Sequence, residues 1–135
     1  MSENPMINDP TFNILRMALD GLSLRQQMIG RNIANVDTPG YQAQSVDFET
    51  AVKRALARQK TVSLQRTQPG HLSAPAESSS FTVLQRPGGS TRADQNNVDI
   101  DVELMDMTET ALRFQALSQA ASKKLLLLKN LASGR

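Results

Sequence analysis

The chain has no cysteine and no tryptophan. The first absence excludes disulfides, thiolate metal sites and thiol catalysis together. The second, with four phenylalanines and one tyrosine, leaves few of the large side chains that usually dominate a compact core. Charge of one sign is also scarce: fifteen Lys and Arg stand against thirteen Asp and Glu, a formal net charge of +2. Runs of bases stop at two residues, as at Lys53-Arg54 and Lys123-Lys124. Neither nucleic acid nor a polybasic membrane contact is therefore favoured. Long apolar runs are missing as well. Leu125 to Leu128 is the longest block of large aliphatics, and Met1 to Pro10 is polar, so neither a membrane span nor a cleavable secretory signal is expected. With His71 the single histidine, paired-histidine catalysis and multi-histidine metal sites cannot be built; packing or hydrogen bonding in the middle of the chain is its expected role. Pro87-Gly88-Gly89 is followed by polar residues and is not a phosphate loop.

What is present lies mostly at the two ends. Asp9 can cap a helix and Pro10 suits its first position, where a missing N–H costs nothing. From there Phe12, Leu15, Leu19, Leu22, Gln26, Ile29, Ile33 and Val36 recur three and four residues apart, a coiled-coil-like seam. The helix should span 9–37, ~40 Å at 1.5 Å per residue, because Pro39 pushes Thr38 out of the α region and Gly40 suits a type II turn. Gly21 and Gly30 within it each cost ~1 kcal/mol relative to Ala, which suggests close helix contacts or a tolerated bend.

Residues 38–98 read as a turn, a short helix and an irregular, partly β middle. Asp47 is a plausible cap for the short helix, whose Phe48, Val52 and Ala55 share a face beside Leu56, ending near Gln59. Thr61 to Arg66 and Phe81 to Leu84 are strand-like, and Thr67 to Asn97 is rich in turn formers. A final helix is expected over 99–133, capped by Asp99 or Asp101. Its acids Asp101, Glu103, Asp106 and Glu109 come early and Lys123, Lys124 and Lys129 late, which suits the helix dipole. On this view Asp99, Asp101 and Glu103 serve the dipole and not a cation. Leu104, Met107, Ala111, Phe114, Ser118, Ala121, Leu125, Leu128 and Ala132 form a second three-and-four seam.

The expected fold is mainly α. Long N- and C-terminal helices pack as a coiled-coil-like pair around the middle segment, and 1–135 is one structural unit. Such a pair leaves apolar residues over: Met105, Leu112, Leu126 and Leu131 on one helix, Ala18, Met28 and Leu24 on the other. Burying a large aliphatic is worth ~2 kcal/mol while ordering a residue costs ~1.5 kcal/mol, so the pair alone is marginal. The isolated chain is expected to have poorly ordered ends that fold on assembly, with neighbouring copies covering the surplus.

The string Asn32-Ile33-Ala34-Asn35-Val36-Asp37-Thr38-Pro39-Gly40-Tyr41 resembles the signature near the N-terminus of bacterial flagellar rod and hook proteins. Its Asp-Thr-Pro-Gly-Tyr form, the short chain, Thr67, His71-Leu72 and Asn96-Asn97-Val98-Asp99-Ile100-Asp101 narrow the resemblance to the proximal-rod family. It covers both ends and is thinnest between Ser73 and Gln95. Gln95 departs from it, standing where the family usually has Gly. Asn32 and Asn35 are compatible either with solvent or with bonds to neighbouring backbone.

The resemblance implies an axial protein whose terminal helices pack into a tube, exported without a Sec signal through the flagellar type III apparatus to the rod that spans the periplasm. The partners it implies are copies of the chain itself, other rod proteins of the FlgC, FlgF and FlgG types, FliE and the export gate. No catalytic residue, cofactor or metal is expected. The competing reading is a cytoplasmic helical export adaptor or chaperone, or another axial protein of the rod and hook family. An enzyme is the remotest reading, since no nucleophile, base and orienting group can be placed together.

Overall fold

The computed structural model describes residues 9–60, 81–86 and 91–134. Three helices and a two-stranded sheet follow in the order α1 (Pro10–Ala34), β1 (Gln44–Val46), α2 (Phe48–Lys60), β2 (Val83–Gln85) and α3 (Ile100–Ala132). The fold is mainly helical, with the two terminal helices packed on each other.

Local signals set the helix ends. The Asp9 carboxylate accepts from the Thr11 N–H at 2.8 Å, with Pro10 in the first turn. Asp47 accepts from Thr50 N–H at 3.3 Å at the start of α2. Asp99 accepts from Asp101 and Val102 N–H, so it and not Asp101 caps α3. α1 stops at Ala34, before the expected Asp37, because Asn35 to Asp37 already curl into turns. Beyond them the Tyr41 N–H donates to the Thr38 carbonyl at 3.2 Å with Gly40 at φ +73°, the turn that Pro39-Gly40 demands.

α1 and α3 are antiparallel. Lys124 meets Asp9 at 2.9 Å near one end of the pair, and Asn32 meets Glu103 at 3.1 Å near the other. The α3 line that follows α1 is Glu103, Thr110, Leu117 and Lys124, spaced by seven, and three of the four are polar. The apolar centre lies midway: Ala18, Leu22 and Phe48 are buried, with Val52, Phe81 and Leu117 packed against them. The Phe48 and Phe81 rings stack, 6.4 Å apart and inclined by 11°. Gly21 makes room for them. A Cβ there would run into the Phe81 ring and come within 2.9 Å of Phe48, whereas one at Gly30 would meet nothing within 4 Å among the described residues.

That arrangement rotates α1 away from the expected seam. Its buried residues are Ala18, Gly21, Leu22, Met28, Ile29 and Asn32. Ala18 and Met28, expected as surplus, therefore belong to the packed face, while Gln26 is exposed and Leu15, Leu19, Ile33 and Val36 are half-buried. The cause is the ring pair over Gly21 together with burial of the polar Asn32.

The antiparallel strands pair Gln44 with Gln85, Ser45 with Leu84 and Val46 with Val83. Asp47 N–H to Thr82 O and Arg86 N–H to Ala43 O continue the ladder at both ends. The expected strand at 81–84 is thus shifted to Val83–Gln85, and β1 was not anticipated. The expected strand at 61–66, with Thr67 and His71-Leu72, lies outside the described residues.

Candidate functional site

The two strings that carry the resemblance meet in space as one polar knot at the end of α1. Asn32 is fully buried there and uses all its bonding capacity. Its amide N–H groups donate to the Gln44 carbonyl at 2.8 Å and to Glu103 at 3.1 Å. Its oxygen accepts from the Tyr41 hydroxyl at 3.2 Å and the Gln44 N–H at 2.9 Å. Asn35 donates to the Arg31 carbonyl at 2.8 Å and accepts from the Thr38 hydroxyl at 3.2 Å, holding the helix end.

The second string ties down the turn that follows α1. The buried Asn96 amide points at three carbonyls, Asn35, Val36 and Thr38, at 2.9, 3.0 and 2.9 Å. All three belong to the cap residue of α1 and the turn just beyond it. The Asn96 oxygen accepts from the Val98 N–H at 2.8 Å, which turns the chain toward α3. Asn97 accepts from Ala43 N–H at 2.6 Å and donates to Arg86 O at 3.3 Å, joining the turn to the sheet. Val98 is buried behind them, Asp99 caps α3, and Ala34 and Asp37 stay exposed on the turn.

Gln95, where the family usually has Gly, takes φ 66°. That region suits Gly and is costly for a residue with a Cβ. Two contacts hold it: its N–H donates to Arg92 O at 2.9 Å and its carbonyl accepts from the Gln42 amide at 2.7 Å.

Glu103 and Arg86 complete the knot. Glu103 is fully buried, receiving the Asn32 amide on one oxygen and Arg86 at 2.9 Å on the other. It therefore holds the knot together, and the expectation that it merely serves the helix dipole is corrected. Arg86 reaches on to Asp106 at 3.1 Å. Sequence reading missed Arg86 altogether. For Glu103 a signal existed, its seven-residue spacing from Thr110, Leu117 and Lys124.

The expected C-terminal seam divides. Met107, Ala121 and Leu128 are half-buried, whereas Leu104, Ala111, Phe114 and Leu125 are exposed. Met105, Leu112, Leu126 and Leu131 are each more than half exposed, at 73%, 63%, 58% and 78%. Together with the exposed Leu104, Leu125 and Leu127, they leave large apolar side chains uncovered along much of α3, more than a few scattered residues.

Two carboxyls are shifted. The Lys124 ammonium, then the Thr11 N–H, hold Asp9 below the ordinary carboxylate range. Partial burial pushes Glu49 upward, but its own backbone N–H and the Arg113 and Arg25 guanidiniums outweigh this and leave it lowered. Among the described residues no group of His, Asp and Glu could hold a metal ion, and no helix is long and apolar enough to cross a membrane.

Comparison with known proteins agrees with this picture. The family model described as "Flagella basal body rod protein" matches residues 12–42. Three relatives bear the name "Flagellar basal body rod protein FlgB". That of Salmonella typhimurium strain LT2 is 34% identical over 112 residues, 79% of this chain and 81% of its own. The Escherichia coli K12 protein is 33% identical over 119 residues, 84% and 86% of the two chains. That of Bacillus subtilis strain 168 is 28% identical over 124 residues, 92% and 94%.

Proposed function

Because the chain belongs to the FlgB family of flagellar basal body rod proteins, structural subunits and not enzymes, we propose that it builds the proximal rod. In this reading its terminal helices assemble into a tube that transmits torque and conducts exported subunits. The observation that carries it is the uncovered apolar surface of α3. Met105, Leu112, Leu126 and Leu131 form part of a helix that finds no cover within the chain among the described residues. Apolar area of this kind is stabilised only when another surface removes it from water.

The seams contribute unequally. Leu22 and Ile29 are used up inside the subunit, and Leu15, Leu19, Ile33 and Val36 lie at its margin. Leu104, Ala111, Phe114 and Leu125 remain available to neighbours, while Met107, Ala121 and Leu128 are half-buried. Candidate neighbours are further copies, rod proteins of the FlgC, FlgF and FlgG types, FliE and the export gate, reached by export without a Sec signal. The matches to rod proteins across most of the chain favour this over a cytoplasmic adaptor.

Leu126→Glu and Leu131→Glu test the reading, since both sites are exposed and the isolated fold should tolerate them. The expected result is a chain with parental helicity by circular dichroism that no longer co-purifies with basal bodies and gives non-motile cells. Normal swimming in both variants would refute assembly through this surface.

A further inference from the structure

A chain of ion pairs crosses the molecule and includes, among the described residues, a single member from α2. Arg86 bonds Glu103 and Asp106, Arg25 of α1 spans Asp106 at 3.8 Å and Glu49 at 3.3 Å, and Arg113 of α3 meets Glu49 at 3.0 Å and pairs with Glu109. Among the described residues, Glu49, in the first turn of α2, is thus the one carboxylate that receives arginines from both long helices.

Past Phe48 and Val52, which pack at the apolar centre, α2 is lightly held. Phe48 at its start is buried, Val52 and Ala55 are half-buried, and Leu56 is exposed. A thirteen-residue helix lies near the lower limit at which a helix persists without tertiary support. Beside Glu49 lies a cavity of about 320 Å³ floored by Met28, Ile29, Val46 and Val102, with Arg25 and Asp106 also in its wall. The Glu49 contacts are therefore not backed by close packing on that side.

We infer that Glu49 is an ionic latch: its pairing with Arg25 and Arg113 docks α2 onto the α1–α3 pair, and screening or removing that pairing lets α2 open beyond its Phe48 anchor. The device would let the subunit change outline without melting its helix pair, because the knot at Asn32 and Glu103 is buried and shielded from salt. Exposed pairs are not shielded. The screening length falls from about 10 Å at 0.1 M salt to about 3 Å at 1 M.

Hydrogen exchange read by mass spectrometry on the full chain tests the latch. In the parent, α2 amides should exchange roughly five-fold faster in 1 M than in 0.1 M sodium chloride, the size expected for losing one or two partly exposed pairs. Amides around Asn32 and Glu103 should stay unchanged. Glu49→Gln should bring α2 to the fast rate at both salt concentrations, and Arg113→Gln should fall between. Arg54→Gln, which alters an exposed α2 charge on a different face of the helix from Glu49, should behave as the parent. Three results would overturn the inference: parental α2 exchange in Glu49→Gln, equal acceleration in Arg54→Gln, or acceleration of all three helices together.

Discussion

The Asn32 amide meets the Glu103 carboxylate at 3.1 Å, a buried hydrogen bond between residues 71 positions apart. It ties the last turns of α1 to the first turns of α3, and both partners are fully buried. Removing one side strands the other. Asn32→Ala also orphans the Tyr41 hydroxyl and the Gln44 N–H and carbonyl, so a loss of about 3 kcal/mol is expected in urea denaturation. Asn35→Ala, at a more open position with local bonds alone, should cost no more than about 1 kcal/mol.

Gln95 pays a conformational penalty at φ 66°. Gln95→Gly should stabilise the chain by about 1 kcal/mol, whereas Gln95→Val, branched at Cβ, should destabilise it by a similar amount or more. Paired thermal melts would show this as shifts of opposite sign; a Val variant as stable as the Gly variant would contradict the assignment.

Gly21 and Gly30 sit on one helix in unlike surroundings. A methyl group at position 21 meets the Phe48 and Phe81 rings, and Gly21→Ala is expected to cost about 2 kcal/mol through overpacking. Gly30→Ala meets nothing within 4 Å among the described residues and should gain up to about 1 kcal/mol from helix propensity. Chemical denaturation of the two variants side by side separates packing from propensity.

Thr110 is 1% exposed, and its hydroxyl has no hydrogen-bond partner among the described residues. Thr110→Val keeps the shape and removes the unpaired group, so a gain of about 1 kcal/mol is expected. A loss of that size in equilibrium unfolding would indicate that the hydroxyl is bonded.

The tie between Asp9 and Lys124 should be lost in acid. The folded state lowers the Asp9 pKa, so its contribution is complete above the unfolded carboxylate value of about 3.9 and disappears as pH falls through the lower folded value. A carboxyl-detected NMR titration should place Asp9 below the exposed carboxylates. In Lys124→Gln the Asp9 titration should move back up.

Signals acting within about four residues were legible from sequence. Asp9-Pro10, Asp99 and Pro39-Gly40 set ends and turns where their local chemistry demands, and Met105, Leu112, Leu126 and Leu131 emerged exposed. The face of α1 was not legible, because Phe81, arriving from a distant segment, fills the notch that Gly21 leaves. β1 was hidden for a similar reason: three residues with one buried Val carry no period of their own. The resemblance singled out Asn32, Asn96 and Asn97 but not their bonds. Arg86 and Glu103, equally involved, required the partners to be seen.

The closure of the turn after α1 has a kinetic consequence. Asn96 closes three carbonyls at Asn35, Val36 and Thr38, so the front of the chain holds unfinished business until its last third arrives. Contacts of such sequence separation are slow to form. A chain released progressively from either end would stay pliant until roughly three-quarters of it was free, and would then lock in one late event.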